Sequence, residues 1–91
     1  MRLDKYLKVS RLIKRRTVAA EACAAGKISV NGRVQKASYD VKIGDVLEIT
    51  FGEKVIRLQV VSVQEVVRKE DADSMYNAIY SFINYISFSY I

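Results

Sequence analysis

The side chains best suited to chemistry are the cations of the first 16 residues. Seven stand there against a single acid, Asp4. They are Arg2, Lys5, Lys8, Arg11, Lys14, Arg15 and Arg16. This segment carries +6, whereas the rest of the chain, with eight cations and nine acids, carries −1. Because lysine and arginine bind phosphate groups by charge and by N–H donation, such a segment is typical of proteins that bind nucleic acid or anionic membranes.

A charged helix face that is simply solvated is the plain alternative. Three details favour phosphate binding instead. The cations are not interleaved with acids, so they are not salt-bridge partners along a helix. Lys14, Arg15 and Arg16 lie at the start of a predicted helix, where the helix dipole makes cations mildly unfavourable, and a local rule broken without compensation indicates function. The backbone N–H groups at that helix start also suit phosphate.

Three anionic targets fit this basic segment: duplex DNA, RNA and a lipid bilayer. A helix lying on a membrane needs a free apolar face opposite its cations. Here the apolar face of the first helix is required for packing the domain, which argues against a membrane. Charge alone does not separate DNA from RNA.

Composition excludes several other classes of protein. The chain has 91 residues, the size of one small domain, and contains no histidine, the commonest general base and metal ligand. Cys23 is the single cysteine, so neither an internal disulfide nor a multi-thiolate zinc site is expected. The charged N-terminus argues against a secretory signal, and no run of about 20 apolar residues suggests a membrane span. We therefore predict a cytoplasmic, non-enzymatic protein without metal or cofactor.

Two helices are predicted before residue 26. Apolar residues recur at helical spacing over Leu3–Ser10, with cations on the opposite arc. A second helix over Thr17–Ala25 is rich in alanine, with Thr17 as its N-cap and Gly26 just after its end. Cys23 is expected to pack in this helix. Asp4 is expected to orient Arg11 or Arg15, or to aid the first turn of the first helix, rather than to act in catalysis.

The pattern then changes to the two-residue period of strands. Ile28–Val30 and Arg33–Val34 flank Asn31–Gly32, a strong hairpin signal. Two further strand-rich runs cover Val46–Phe51 and Val55–Val67. The apolar face switches parity after residue 60 in the second run, which predicts a bulge or a bend. Tyr39 and Tyr76 are expected to pack rather than stack on bases.

The C-terminal segment departs from this pattern, because residues 74–91 carry no charge at all. Apolar residues there show helical spacing, and some also alternate as in a strand. We divide the chain into a domain at 1–67 and a C-terminal extension at 68–91, for which a terminal helix and a strand both remain open. A partner-binding helix, a self-association segment and an aberrant terminus all remain open for this extension.

An ordered set of motifs runs through the N-terminal half of the chain. They are Arg2-Leu3-Asp4-Lys5-Tyr6-Leu7, Arg11, Lys14-Arg15-Arg16-Thr17, Ala20, Gly26, Ile28, Val30-Asn31-Gly32 and Lys42-Ile43-Gly44-Asp45. The set resembles the alpha-L RNA-binding domain of the ribosomal protein S-four type over residues 1–67. The resemblance implies an α+β fold in which two N-terminal helices pack on a small curved antiparallel sheet.

A small domain with the segment MRLDKYLKVSRLIKRRT most resembles the stand-alone RqcP family of bacterial ribosome-associated quality control, and also a heat-shock protein that binds large ribosomal subunits. The resemblance implies three partners: large-subunit ribosomal RNA, peptidyl-tRNA and the tailing factor RqcH. It also implies support for alanine tailing of stalled chains. The residues implied in RNA binding are Arg2, Lys5, Arg11, Lys14, Arg15, Arg16, Lys27 and Arg33.

Three alternatives remain open from sequence. The first is a recycling factor for blocked large subunits without a role in tailing. The second is an accessory RNA-binding subunit of an enzyme that modifies ribosomal RNA. The third is a self-assembling protein driven by its uncharged C-terminal segment.

Overall fold

The structure, a computed structural model, describes residues 1–64 and 74–81 as two helices and a five-stranded sheet. The elements are α1 (Leu3–Val9), α2 (Arg16–Ala24), β1 (Ile28–Val30), β2 (Arg33–Val34), β3 (Val46–Phe51), β4 (Lys54–Val60) and β5 (Tyr76–Ser81). The strand order is β2-β1-β3-β4-β5, with every neighbouring pair antiparallel. The predicted α+β class and the helices packed on an antiparallel sheet are confirmed.

Helix α1 forms as predicted, with Leu3, Tyr6 and Leu7 fully buried against the sheet. Helix α2 begins one residue earlier than predicted. Arg15, not Thr17, occupies its N-cap, in an extended conformation and without a side-chain cap hydrogen bond. Arg16, at the first helical position, lies 3.4 Å from the carboxylate of Asp4 on α1.

The turn of the β1–β2 hairpin and the end of α2 before it both have the residues that their backbone conformations require. Asn31 and Gly32 adopt φ angles of 52° and 86°, the left-handed pair that a type I′ turn requires. The resulting register pairs Ser29 with Val34 and Val30 with Arg33. At the end of α2, Gly26 (φ 75°) follows the C-cap as predicted. Its N–H and that of Lys27 donate to Cys23 and Ala22, which completes a Schellman motif.

One face of the sheet forms the core beneath the helices. Alternate residues of neighbouring strands stand in register and are buried there. The two rows are Ile28, Ile49 and Ile56, and Val30, Leu47 and Leu58. The opposite face carries polar residues, including a Glu48–Arg57 ion pair of 2.7 Å across β3 and β4.

The strand predicted over Val55–Val67 ends at Val60. The parity switch after Val60 therefore marks the end of a strand, and the observed pairing irregularity lies between Arg57 and Leu58. Beyond the strand, the N–H groups of Val61 and Ser62 donate to the carbonyl of Met75, at 2.9 and 3.2 Å. This contact brings the chain before β5 against the end of β4.

Helix and strand were both open for the extension, and residues 76–81 form a strand, β5, which pairs with β4. The apolar residues there fit both periods, and pairing with the edge of β4 decides in favour of a strand. Met75, just before β5, is fully buried in the core. The boundary at Val67 and the prediction for residues 82–91 lie outside the described residues and stay predictions.

Candidate nucleic-acid interface

Two of the predicted RNA-binding arginines meet on one buried carboxylate. Asp4, 4% exposed, accepts hydrogen bonds from Arg2 Nε (3.2 Å) and Nη2 (3.4 Å). Arg16 Nε lies 3.4 Å from its Oδ2 atom. The side chains of Arg2 and Arg16 are 54% and 48% exposed. This Arg2–Asp4–Arg16 cluster thus presents two fixed, half-exposed guanidinium groups from two different helices.

The charge of Asp4 is maintained by its partners. Burial raises the pKa of Asp4, but hydrogen bonds from Arg2, Arg16 and the Lys5 backbone N–H outweigh burial and lower that pKa below its ordinary value of 3.8. The carboxylate is therefore ionised at neutral pH, and it holds Arg2 by charge-assisted hydrogen bonds and Arg16 by an ion pair. The expectation that Asp4 orients Arg11 or Arg15 is wrong, since Arg2 and Arg16 are its partners.

Three more predicted residues lie on the connection between α1 and α2. Lys14 and Arg15 are exposed there, directly before Arg16. Arg11 is exposed too, and it follows the C-cap of α1 with a φ of 65°. A left-handed conformation costs a residue with a Cβ about 1–2 kcal/mol, so this arginine is held under strain. Lys5 is half-buried on α1.

Lys27 and Arg33 are not brought together with the Arg2–Asp4–Arg16 cluster. They lie beyond the opposite end of α2, whose nine residues span about 13 Å. Both are exposed, Lys27 just after Gly26 and Arg33 on β2. Lys36 is exposed in the same region, and sequence reasoning missed it. Its position two residues after the predicted hairpin is the signal that could have identified it.

A groove of about 550 Å³ runs beside α2 towards this second group of cations. It is lined by Ala20, Cys23, Ala24, Val34, Lys36 and Tyr39, among others. Cys23 is 3% exposed, and burial, with a smaller effect of the Asp4 charge, raises the pKa of its thiol to about 11. The thiol is therefore protonated at neutral pH, which agrees with the predicted packing role.

No group of three or more His, Cys, Asp or Glu side chains is arranged to hold a metal ion within residues 1–64 and 74–81. In the same part of the chain, no helix is long and apolar enough to cross a membrane.

The model of the S4 domain family matches residues 1–47, just over half of the chain. A protein of Halalkalibacterium halodurans named RQC P-site tRNA stabilizing factor is 58% identical over 76 residues, 84% of this chain and 86% of its own length. Its namesake in Bacillus subtilis is 53% identical over 79 residues, 87% of this chain and 92% of its own length. Another, in Helicobacter pylori, is 37% identical over 73 residues.

Solved structures agree with these sequence matches. The trimeric structure of Vibrio cholerae Heat Shock Protein 15 superposes with a TM-score of 0.80 at 28% identity, and the match covers 86% of this chain and 80% of that one. The family model, the identities and the shared fold lead to one conclusion. The chain belongs to the S4 domain family and, within it, to the family of RQC P-site tRNA stabilizing factors.

Proposed function

We propose that this protein is a non-enzymatic RNA-binding factor of bacterial ribosome-associated quality control. In this role it binds the large ribosomal subunit in the cytoplasm, contacts ribosomal RNA and stabilises a peptidyl-tRNA in the P site. It thereby supports the addition of C-terminal alanine tails by RqcH. The names of its relatives, RQC P-site tRNA stabilizing factors, support the P-site tRNA as a ligand.

The observation that carries the proposal is the Arg2–Asp4–Arg16 cluster. A guanidinium group held on one side by a carboxylate loses little conformational freedom when its other donors bind a phosphate. The first turn of α2, next to Arg16, contains no acidic residue that would compete for the same cations. Lys5, Arg11, Lys14 and Arg15 extend this surface around the cluster, and Lys27 and Arg33 extend it beyond the far end of α2.

Arg16→Ala tests the proposal, with Arg57→Ala as its matched control. The two arginine side chains are 48% and 49% exposed, and each lies beside one carboxylate. Binding is measured by co-sedimentation with purified bacterial large subunits that carry a P-site tRNA. Arg16→Ala should weaken binding about tenfold, the effect of losing one charged hydrogen bond, whereas Arg57→Ala should leave it unchanged. Equal losses for the two variants would contradict the proposal.

The salt dependence of binding provides a second test. If about four to six cations contact phosphates, log K should fall with log salt at a slope of about −3 to −5. Arg16→Ala should reduce the magnitude of that slope by about one. Binding that does not respond to salt would contradict the phosphate-contact mechanism.

A recycling factor for blocked large subunits is the second candidate function. The resemblance of the sequence to a heat-shock protein that binds large ribosomal subunits favours it, and the fold is shared with Heat Shock Protein 15 at a TM-score of 0.80. Alanine tailing in cells that lack this protein separates the two candidates. Loss of tails with normal release of blocked subunits supports the first, and the reverse supports the second.

A further inference from the structure

The first turn of α1 is capped by a distant loop. Arg2 occupies the N-cap and makes no side-chain cap hydrogen bond. Instead, the N–H groups of Leu3 and Asp4 donate to the carbonyl oxygens of Tyr39 (2.8 Å) and Ala37 (3.2 Å). These carbonyls satisfy N–H groups that have no partner within a helix. The loop between β2 and β3 is therefore fixed against the start of α1.

The same loop contacts the chain on both sides of Arg2, since it also binds the residue before Arg2. On its N-terminal side, Val41 N–H donates to the Met1 carbonyl (2.8 Å), and the Met1 ammonium group lies 2.7 Å from Asp40 Oδ1. Arg2 itself forms an isolated antiparallel bridge with Asp40. The position of the Arg2 backbone, and hence of its guanidinium group beside Asp4, depends on where residues 37–41 lie.

Asp45 holds that loop in place. Its carboxylate is 9% exposed and accepts hydrogen bonds from the Tyr39 hydroxyl (2.9 Å), Lys42 N–H (3.0 Å) and Asn31 Nδ2 (3.0 Å). Since no helix or strand lies between Val34 and Val46, these side-chain contacts substitute for regular structure. Burial, together with the hydrogen bond to Asp45, raises the pKa of Tyr39, so its hydroxyl remains a donor at neutral pH.

We infer that Asp45 is a positioning residue for RNA binding, which acts through Tyr39 and the 37–41 loop to hold Arg2 beside Arg16. The inference rests on the proposed function, because it assumes that Arg2 contacts RNA. A residue that only stabilised its own turn would alter RNA affinity by the same factor whether or not Arg2 is present. A positioning residue alters affinity through Arg2 alone.

The test is a double-mutant cycle between Asp45→Asn and Arg2→Ala, measured as affinity for purified large subunits that carry a P-site tRNA. Asp45→Asn should weaken binding about fivefold, although it removes a negative charge, because residues in one hydrogen-bond network are energetically coupled. In the Arg2→Ala background the same substitution should change binding less than about twofold. Equal losses in both backgrounds, or no loss in either, would overturn the inference.

Two further variants separate the possible causes. Glu48→Gln makes the same charge change on the opposite face of the sheet and should not weaken binding in either background. Tyr39→Phe removes one hydrogen bond and keeps the ring, and replaces Asp45→Asn in the cycle if that variant does not fold. If Arg2→Ala itself leaves binding unchanged, the proposed function fails at this residue. If Arg2→Ala weakens binding but shows no coupling to either variant, only the positioning role fails.

Discussion

The helical end of the molecule, formed by α1 and α2, differs from the sheet in how closely its residues match the preferences of their local positions. In the sheet, an Asn–Gly pair forms the tight turn and opposite charges face each other at Glu48 and Arg57. At the helical end, Arg15 occupies an N-cap position that favours Ser, Thr, Asp or Asn. Arg16 places a cation at the positive end of α2. Unfavourable local choices are therefore concentrated among the residues proposed to bind RNA.

The residues that follow the two helices also differ in how well they suit their backbone conformation. Both helices continue into a left-handed residue, Gly26 after α2 and Arg11 after α1. Glycine adopts that conformation without cost, whereas arginine does not. The helical end therefore carries a cation at a position where stability alone would favour glycine.

The largest effect on the free energy of unfolding is expected from Leu7→Ala. This variant tests whether α1 packs in the same core as the sheet. Leu7 is fully buried, so its truncation should lower the free energy of unfolding by about 2–5 kcal/mol. Ile43→Ala is the control, because Ile43 is 66% exposed and its truncation should cost less than about 0.5 kcal/mol. Urea unfolding measures both. Similar losses for the two variants would mean that α1 does not share the core of the sheet.

The next effect concerns the arginines of the Arg2–Asp4–Arg16 cluster. Arg2→Ala or Arg16→Ala alone leaves Asp4 with one guanidinium partner and should cost about 1 kcal/mol or less. The double variant removes both arginine partners of Asp4 and should cost about 2 kcal/mol or more, beyond the sum of the single variants. Urea unfolding of the three variants measures this coupling. Additive losses would contradict shared pairing on Asp4.

The pH dependence of stability tests the same cluster. The pKa of Asp4 is lowered in the folded protein, so its contribution is present above the unfolded value of 3.8 and is lost as pH falls through the folded pKa. In the double variant, the two arginine hydrogen bonds that lower this pKa are lost, so the contribution of Asp4 to the pH dependence should shrink. Asp40 also has a lowered pKa, through the Met1 ammonium group. Asp4→Asn therefore serves as the reference that isolates Asp4.

A smaller effect is expected at the two left-handed residues. Arg11→Gly should raise the free energy of unfolding by about 0.5–1 kcal/mol by relieving strain, while it weakens binding to large subunits. Gly26→Ala should lower the free energy of unfolding by about 1 kcal/mol. A Cβ at Gly26 would meet Val34 at an ordinary contact distance of 3.9 Å, so the cost is conformational. Thermal unfolding checks both signs, and a destabilised Arg11→Gly variant would show that Arg11 contributes to folding.

The smallest effect should come from the open face of the sheet. Arg57→Ala removes an exposed cross-strand ion pair and should change the free energy of unfolding by less than about 0.5 kcal/mol. Chemical unfolding of this variant measures the change directly. A loss above 1 kcal/mol would contradict the difference drawn between the helical end and the sheet. The stability of the sheet too would then depend on its surface charges.

Local signals predicted most of the fold. Three of these signals depend only on residues that are close in sequence: the helical spacing before Ser10, the Asn31–Gly32 turn and Gly26. Each is observed where expected. The errors arose where distant contacts decide. β5 forms because β4 offers an edge for pairing, and α2 starts at Arg16 in contact with Asp4. Neither contact can be recognised from a short stretch of sequence, because its partners lie far apart along the chain.

The candidate site shows the same limit. Charge alone identified the basic segment, but not the pairing of Arg2 and Arg16, because fourteen positions separate them and a buried carboxylate joins them. Asp45 belongs to the Lys42-Ile43-Gly44-Asp45 motif, but no role for its side chain follows from the sequence. Its three hydrogen-bond donors come from separate positions that only the fold brings together.

The contact between Tyr6 and Met75 bears on the order in which the domain is completed. The Tyr6 hydroxyl is buried and donates to the Met75 carbonyl at 2.8 Å, across 69 positions of sequence. A chain made from its N-terminus produces α1 early, yet this hydroxyl has no such acceptor until residue 75 has been synthesised. A buried hydroxyl without an acceptor is costly, and closing so long a loop is slow. Final packing of α1 therefore waits until the segment that leads into β5 has been synthesised.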